Sequence, residues 1–152
     1  GAAPDWLRRL TAQELDLTVG ESRSALYRGL MCLIALRGAR DFLTGQPAKL
    51  HMCHDDHIFP RAVYGKDEAV DTILNRSLIS EQTNRHKQHK RPSVFVQECL
   101  RGHGDNEAEL LKTLDSHFIS REAYRALKQD DFGAFVQARR GALARAVQAS
   151  LG

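Results

Sequence analysis

The chain has 152 residues, 42% of them hydrophobic, which fits one domain with a core of its own. No run of roughly 18 apolar residues occurs, so we expect no membrane partner and a cytoplasmic protein. The net charge of +3 only leans toward an anionic partner. The three cysteines are too few and too scattered for a disulfide framework, which favours a reducing compartment. The chain starts at Gly1 rather than at methionine, which indicates a fragment of a longer protein.

The first third of the chain is predicted to be helical. Residues 6–14 contain a capping-box pattern and indicate short helical pieces. A clearer helix starts at Ser22 or Ser24 and stops at Gly38, because its apolar residues recur at helical spacing. These residues are Leu26, Leu30, Leu33 and Ile34.

The middle of the chain has a different pattern. Residues 48–60 read as extended up to Pro60, and residues 61–71 have the composition of a loop. Leu78–Ile79 is a short strand candidate. Ser80 then caps a helix that ends before the next proline. The predicted local order is strand, loop, strand, helix.

The rest of the chain is predicted to be helical again. Ser93 is a candidate N-cap of the next helix, and residues 102–104 interrupt the pattern. Further helices contain residues 110–114, begin at Ser120, and span residues 132–147. The predicted fold class is therefore mainly α, with a small two-stranded insert in a helical domain.

The insert carries side chains that fit metal-assisted hydrolysis of a phosphodiester. Histidine has an ordinary pKa of about 6.5, so His57 can accept a proton from an attacking water. One hard divalent cation, Mg²⁺ or Mn²⁺, prefers oxygen ligands, which Asp56 and Asn84 supply. Neighbours in a regular strand face opposite sides, but this constraint relaxes at a strand end, where both can converge on one site.

A dense basic segment follows Asn84. From Arg85 to Arg91 there are four Lys or Arg residues, two His and no acid. We expect these basic side chains to contact the nucleic acid backbone, which supplies affinity but reads no sequence. They are Arg85, Lys87, Lys90 and Arg91. Arg139, Arg140 and Arg145 of the last helix are expected to be a solvated face instead.

Three segments of the insert form one pattern. They are Asp56–Pro60, Asn75 and Asn84–Lys87. This pattern resembles the HNH, or ββα-metal, nucleases, and especially the HNH domain of the RNA-guided CRISPR effector nuclease. The resemblance implies that Asp56 and Asn84 are metal ligands and that His57 is the general base. It also implies that Asn75 orients the loop and the histidine, and that Lys87 lies near the substrate phosphate. The Asn84 position is histidine in many HNH enzymes.

A longer resemblance covers roughly residues 24–145. Four short patterns of the chain resemble the C-terminal nuclease half of GmrSD-type restriction enzymes, including the SspE-like proteins. They are DHIFP at Asp56–Pro60, N-x-x-L-I at Asn75–Ile79, a segment that begins with TN and ends with PS at Thr83–Ser93, and DF-x-x-F at Asp131–Phe135. The resemblance implies a bacterial anti-phage or restriction effector, whose N-terminal nucleotide-hydrolysing sensor domain would lie outside this chain.

The sequence thus predicts a single HNH nuclease domain over residues 1–152. Its ββα finger covers about residues 48–91, between flanking helices in residues 1–47 and 92–152. The expected activity is nicking of double-stranded DNA. Two alternatives stay open: a non-catalytic DNA-binding module, and an RNase of the same fold. Digesting DNA and RNA side by side distinguishes the latter.

Overall fold

A computed structural model describes residues 23–65 and 69–151. Within these ranges the chain is mainly α-helical and contains one two-stranded antiparallel sheet, as predicted. The short helical pieces expected in residues 6–14 lie outside the described residues. In the described part of the chain, no helix combines the length and the apolar character that a membrane span requires.

The first described helix, α1, spans Arg23–Leu36 and agrees with the predicted bounds. Leu30 and Ile34 lie one turn apart on its inner face, and both are fully buried. The helix is followed by Gly38, whose φ of +77° lies in the left-handed region that glycine adopts without strain. The inner face of α1 packs against the second strand and the turn that precedes it.

Two short strands form the insert. A 3₁₀ turn, Leu50–Met52, leads into β1, Cys53–His57. This strand pairs antiparallel with β2, Arg76–Ser80, and all five residues of one strand face the five of the other. A short helix α2, Arg61–Tyr64, and a second 3₁₀ turn, Ile73–Asn75, lie between the strands.

Helix α3, Glu81–Lys87, follows β2 directly and completes the predicted order of strand, strand and helix. Ser80 caps it as expected, because its Oγ accepts a hydrogen bond from the Thr83 amide at 3.2 Å. The side-chain hydroxyls of Ser80 and Thr83 also donate hydrogen bonds to the carboxylate of Asp41, at 2.5 Å and 2.9 Å. The start of α3 is therefore fastened to the loop that follows α1.

Three local predictions are wrong. Residues 50–52 are a 3₁₀ turn rather than extended chain, and the expected loop of residues 61–71 begins with helix α2. The carbonyl of Pro60 accepts the amides of Val63 and Tyr64, which starts α2. Pro60 is the N-cap residue of this helix and has an extended conformation, with φ of −70° and ψ of 137°.

The third wrong prediction concerns Ser93. The next helix begins one residue earlier, at Pro92, with Arg91 at the N-cap. Proline is well suited to the first helical position because it has no amide hydrogen to leave unpaired. Ser93 instead donates its hydroxyl and its amide to the carboxylate of Asp130, at 2.7 and 2.8 Å.

Four helices form the C-terminal part of the described chain and correspond to those predicted. They are α4 (Pro92–Gly102), α5 (Glu107–Asp115), α6 (Arg121–Lys128) and α7 (Phe132–Leu151). Ser120 caps α6 as expected, accepting the amide of Ala123 at 3.2 Å. Helix α6 packs between α4 and α7.

The larger hydrophobic core holds the end of β1 in place. Ile58 and Phe59, the two residues after His57, are buried in this core together with residues of α4 to α7. The Phe59 ring lies 5.0 Å from that of Tyr64 and 5.3 Å from those of Phe132 and Phe135, measured between ring centroids. Aromatic packing of this kind fixes the backbone on the C-terminal side of His57.

Arg139 is a clear departure from the sequence-based expectation. The sequence predicts that it lies on a solvated helix face, whereas its side chain is fully buried. Its guanidinium donates to the carbonyls of Leu74 (2.9 Å), Arg76 (2.6 Å) and His117 (3.0 Å). Burial lowers the pKa of Arg139 to about 9. Arg145, on the same helix, is exposed as expected.

Candidate active site

The end of β1 and one face of α3 enclose a cavity of about 260 Å³. Asp56, His57 and Asn84 all line it, so the structure brings the acid, the imidazole and the carboxamide together. The remaining lining residues are Pro60, Arg61, Ala62, Lys87, Gln88 and His89. Asp55, in contrast, pairs with Arg76 and is not among the residues that line this cavity.

His57 is held by a residue that the sequence did not single out. Its Nε2 lies 2.8 Å from Oδ1 of Asp71, and the two side chains are 16% and 23% exposed. A carboxylate can only accept a hydrogen bond, so Nε2 carries the proton. In the neutral imidazole Nδ1 is then the atom with a free lone pair.

Asp71 is ionised in this environment. Burial raises the pKa of its carboxyl, but the hydrogen bond from His57 and the positive charge of Arg61 and Arg76 outweigh that effect. The net pKa therefore lies below the ordinary value of an aspartate. Asp71 and His57 are fourteen positions apart in the chain, so no local pattern predicts their contact. The position of Asp71 just before the turn that leads into Asn75 is its one sequence signal.

Asn75 lies behind the site and is fully buried. Its side-chain oxygen accepts the amide of Phe59 at 2.8 Å, and its side-chain nitrogen donates to the carbonyls of Phe59 (3.0 Å) and Val70 (2.9 Å). Its backbone carbonyl also accepts the amide of Ile58 at 2.8 Å. These bonds fasten the segment that follows His57, and the same side chain anchors the residue before Asp71.

Lys87 is not the surface residue that the sequence suggests. It is 1% exposed, and its ammonium donates to Oδ2 of Asp56 at 3.2 Å and to the carbonyl of His57 at 2.8 Å. The inner face of α3 packs on β1 and turns this side chain inward, where it lines the same cavity as Asp56 and His57, and its contact with a substrate phosphate stays a prediction. Lys87 instead supplies the counter-charge of Asp56 and ties α3 to the end of β1.

The other basic residues are partly neutralised by acids from outside their own segment. Arg85 pairs with Glu81 one turn earlier on α3. Lys90 pairs with Glu98 of α4 at 2.9 Å. Arg85 and Arg91 are both exposed. The positive field over the site is thus weaker than the composition of residues 85–91 indicates.

The donor atoms at the cavity fit a hard divalent cation. Asp56 offers carboxylate oxygen and Asn84 offers amide oxygen, the ligand types that Mg²⁺ prefers. Across residues 23–65 and 69–151, no group of three or more His, Cys, Asp or Glu side chains is arranged to hold a metal ion. A cation held by this aspartate and this asparagine would therefore keep several of its waters, which is usual for Mg²⁺.

Comparison with known proteins adds a distant relative. An uncharacterized protein of Methanocaldococcus jannaschii is 29% identical over 124 residues, which cover 74% of this chain and 21% of the relative. The chain thus spans about a fifth of the length of the protein it matches. No protein-family model and no solved structure matches the chain. The name of this relative records no activity, so the site itself has to carry the functional argument.

Proposed function

We propose that this chain is a metal-dependent HNH endonuclease domain that hydrolyses phosphodiesters of DNA. The observation that carries the proposal is the meeting of Asp56, His57 and Asn84 at one cavity. Asp56 and His57 lie on β1 and Asn84 lies on α3, and the order of strand, strand and helix is the one that a ββα finger would have. Simple binding of DNA needs no imidazole beside a carboxylate and a carboxamide.

His57 is the general base of the proposed reaction. Its Nδ1 takes a proton from a water molecule at the cavity while that oxygen attacks the phosphorus atom. The bond from phosphorus to the 3′ oxygen breaks, and the leaving oxygen takes a proton from solvent. The products are a 5′-phosphate and a 3′-hydroxyl, and one site cuts one strand.

Asp56 and Asn84 are the residues that would hold the metal ion, one Mg²⁺ or Mn²⁺. A bound divalent cation neutralises charge on the phosphate and on the departing oxygen. Lys87 keeps the Asp56 carboxylate at the mouth of the site through the 3.2 Å contact of its ammonium. Asn75 contributes indirectly, by fastening the backbone at Phe59, which follows the base, and at Val70, which precedes Asp71.

The exposed basic residues next to the site are suited to the DNA backbone. Arg85 and Arg91 are exposed, while Lys90 is committed to Glu98 and would contribute less. Because phosphate contacts carry no sequence information, the proposed domain nicks double-stranded DNA with little sequence preference of its own. Selectivity would come from a sensor domain of the parent protein, which is expected to hydrolyse nucleotides in a cytoplasmic defence system.

The test is a supercoiled plasmid assay with Mg²⁺, Mn²⁺ or EDTA. The wild type is expected to open the circles only with metal, and His57→Ala to cut at least about a hundredfold more slowly, because general bases contribute that much or more. His54→Ala is the matched control, since His54 lies exposed on the same strand. It should cut like the wild type.

The outcomes separate the proposed activity from its alternatives. Cutting by His57→Ala at the wild-type rate would contradict the assignment of the base. Retained DNA affinity without cleavage in any metal would favour a binding module. A parallel digestion of RNA that runs faster than that of DNA would favour an RNase at the same site.

A further inference from the structure

The contact between His57 and Asp71 assigns a role that goes beyond the acid, the base and the metal ligands. We propose that Asp71 is the positioning residue of the site, whose carboxylate holds His57 in the Nε2–H tautomer and leaves Nδ1 to accept the proton. The reaction in which His57 accepts the proton rests on the proposed function. The tautomer of His57 is a property of the chain itself and can be measured without substrate.

The geometry of the contact carries the inference. Nε2 of His57 and Oδ1 of Asp71 are 2.8 Å apart, a normal length for a charge-assisted hydrogen bond. The opposite tautomer would point a lone pair of Nε2 at the carboxylate and lose the bond. Both side chains are more than three-quarters buried, so water competes weakly for either partner. A single tautomer is therefore strongly favoured.

The backbone around Asp71 is held firmly enough to serve this purpose. Val70 and Thr72, its two neighbours in sequence, are both buried. The Val70 carbonyl accepts the side chain of Asn75, and the Thr72 hydroxyl accepts the Leu74 amide at 3.3 Å. The carboxylate therefore projects from a fixed turn.

The charge of Asp71 is also maintained by its surroundings. Nη1 of Arg61 lies 3.7 Å from the same carboxylate oxygen that accepts the bond from His57. The Arg61 side chain is 47% exposed, so this pair is weaker than the bond to the imidazole. Its cationic group nevertheless favours the ionised form of Asp71, which can accept a hydrogen bond from His57 but cannot donate one.

The experiment compares Asp71→Ala and Asp71→Asn with the wild type in two measurements. The first is nitrogen NMR of the histidine rings in metal-free protein, at a pH where the imidazoles are neutral. The second is kcat and KM for plasmid nicking. We expect the wild-type His57 ring to be in the Nε2–H form and Asp71→Ala to give a mixture of tautomers. Its kcat should fall about 10- to 100-fold, the usual cost of losing an orienting partner, with KM unchanged.

Two controls are built into the chain. The His117 ring donates from Nε2 to the Arg40 carbonyl and accepts at Nδ1 from Ser77, both at 2.7 Å, so its unchanged signals show that the fold is intact. Asp71→Asn keeps an acceptor oxygen and should restore most of the Nε2–H form. If Asp71→Ala loses the His117 signals, Asp71→Ser replaces it with the same expectation.

An unchanged His57 tautomer in a folded Asp71→Ala variant would overturn the inference, whatever happens to the rate. An unchanged kcat would overturn it equally. A wild type that cuts no nucleic acid with any metal, but whose His57 tautomer depends on Asp71, would refute the nuclease proposal alone. In that case Asp71 would still position His57, for a different reaction.

Discussion

His117 illustrates what burial does to a single titratable side chain. It is fully buried, and both of its ring nitrogens are hydrogen-bonded. Desolvation lowers the pKa of its imidazole to about 4, and the nearby charge of Arg139 acts in the same direction. The hydrogen bond to the Arg40 carbonyl and the charge of Asp41 oppose this shift without cancelling it. The folded protein therefore keeps His117 neutral where an exposed histidine would be protonated.

The stability of the fold should depend on pH through this residue. In the unfolded chain the histidine pKa is about 6.5, so below that value the unfolded state binds a proton that the folded state refuses. The free energy of unfolding should fall as the pH drops from about 6.5 to the folded pKa of about 4, by about 3 kcal/mol, and then level off with respect to this group. Urea unfolding at a series of pH values measures it.

His117→Gln removes the titration and makes the comparison specific. All other groups titrate alike in both proteins, so the difference between the two pH profiles isolates His117. His51→Gln, at an exposed position, should reproduce the wild-type profile. Equal slopes for the wild type and His117→Gln would contradict the predicted neutral imidazole.

For single residues, the sequence predicts those site residues that belong to one local pattern and misses those that depend on long-range contacts. Asp56 and His57 are neighbours, and Asn84 follows a helix start that can be read locally, so a short pattern brings them together. His57 contacts Asp71, and the buried Lys87 contacts Asp56, across long stretches of the chain. They depend on how the strands and α3 pack, which local spacing does not encode.

At the scale of elements, the start of α3 depends on one carboxylate from a distant loop. Asp41 accepts the amides of Leu43 and Thr44 and the hydroxyls of Ser80 and Thr83. Burial raises the pKa of Asp41, but these hydrogen bonds lower it more, so the net shift is downward. The stabilisation is present above the ordinary aspartate pKa and is lost as the pH falls through the lower folded value.

We expect Asp41→Ala to lower the free energy of unfolding by about 3 kcal/mol, because it leaves several donors without their charged acceptor. Plasmid nicking should fall as well, since α3 carries Asn84. The matched control is Asp115→Ala, because the Asp115 side chain is 64% exposed and pairs with Arg37 at the surface. That change should cost less than about 1 kcal/mol. Chemical unfolding of both variants tests the difference, and equal losses would refute the anchoring role of Asp41.

Helix and strand positions were largely predictable, because their signals are local. The bounds of α1, the Ser80 cap of α3 and the Ser120 cap of α6 all follow from spacing and capping chemistry. The short helix α2 and the 3₁₀ turn before β1 were missed. Such short pieces carry too few residues for a periodic pattern, and tertiary packing decides their conformation.

At the scale of the whole molecule, Arg139 joins three separate parts of the chain. From α7 it reaches the carbonyls on both sides of Asn75 and the carbonyl that follows α5. Its partners in these contacts are backbone carbonyls, which accept its hydrogen bonds but carry no formal negative charge. The arrangement connects the site to the last helix, although the described residues of that helix do not line the cavity.

Arg139→Met should therefore act on both stability and activity. The side chain keeps its bulk but leaves three buried carbonyls without their donor, and we expect a loss of about 3 kcal/mol in the free energy of unfolding. Nicking should weaken too, because Leu74 and Arg76 flank Asn75. Arg145→Met, at an exposed position of the same helix, is the control and should leave both quantities near the wild type. Thermal or urea unfolding, together with the plasmid assay, decides the prediction.

The contacts of Arg139 also affect the order in which the parts of the site form during protein synthesis. The ribosome makes the acid, the imidazole and the carboxamide of the site long before it makes α7. Until α7 has emerged and docked, the carbonyls beside Asn75 lack their donor from Arg139, and Phe59 lacks its packing on Phe132 and Phe135. A nascent chain would thus carry every candidate catalytic side chain before its site is assembled, so any activity of the proposed site should appear only after α7 has docked.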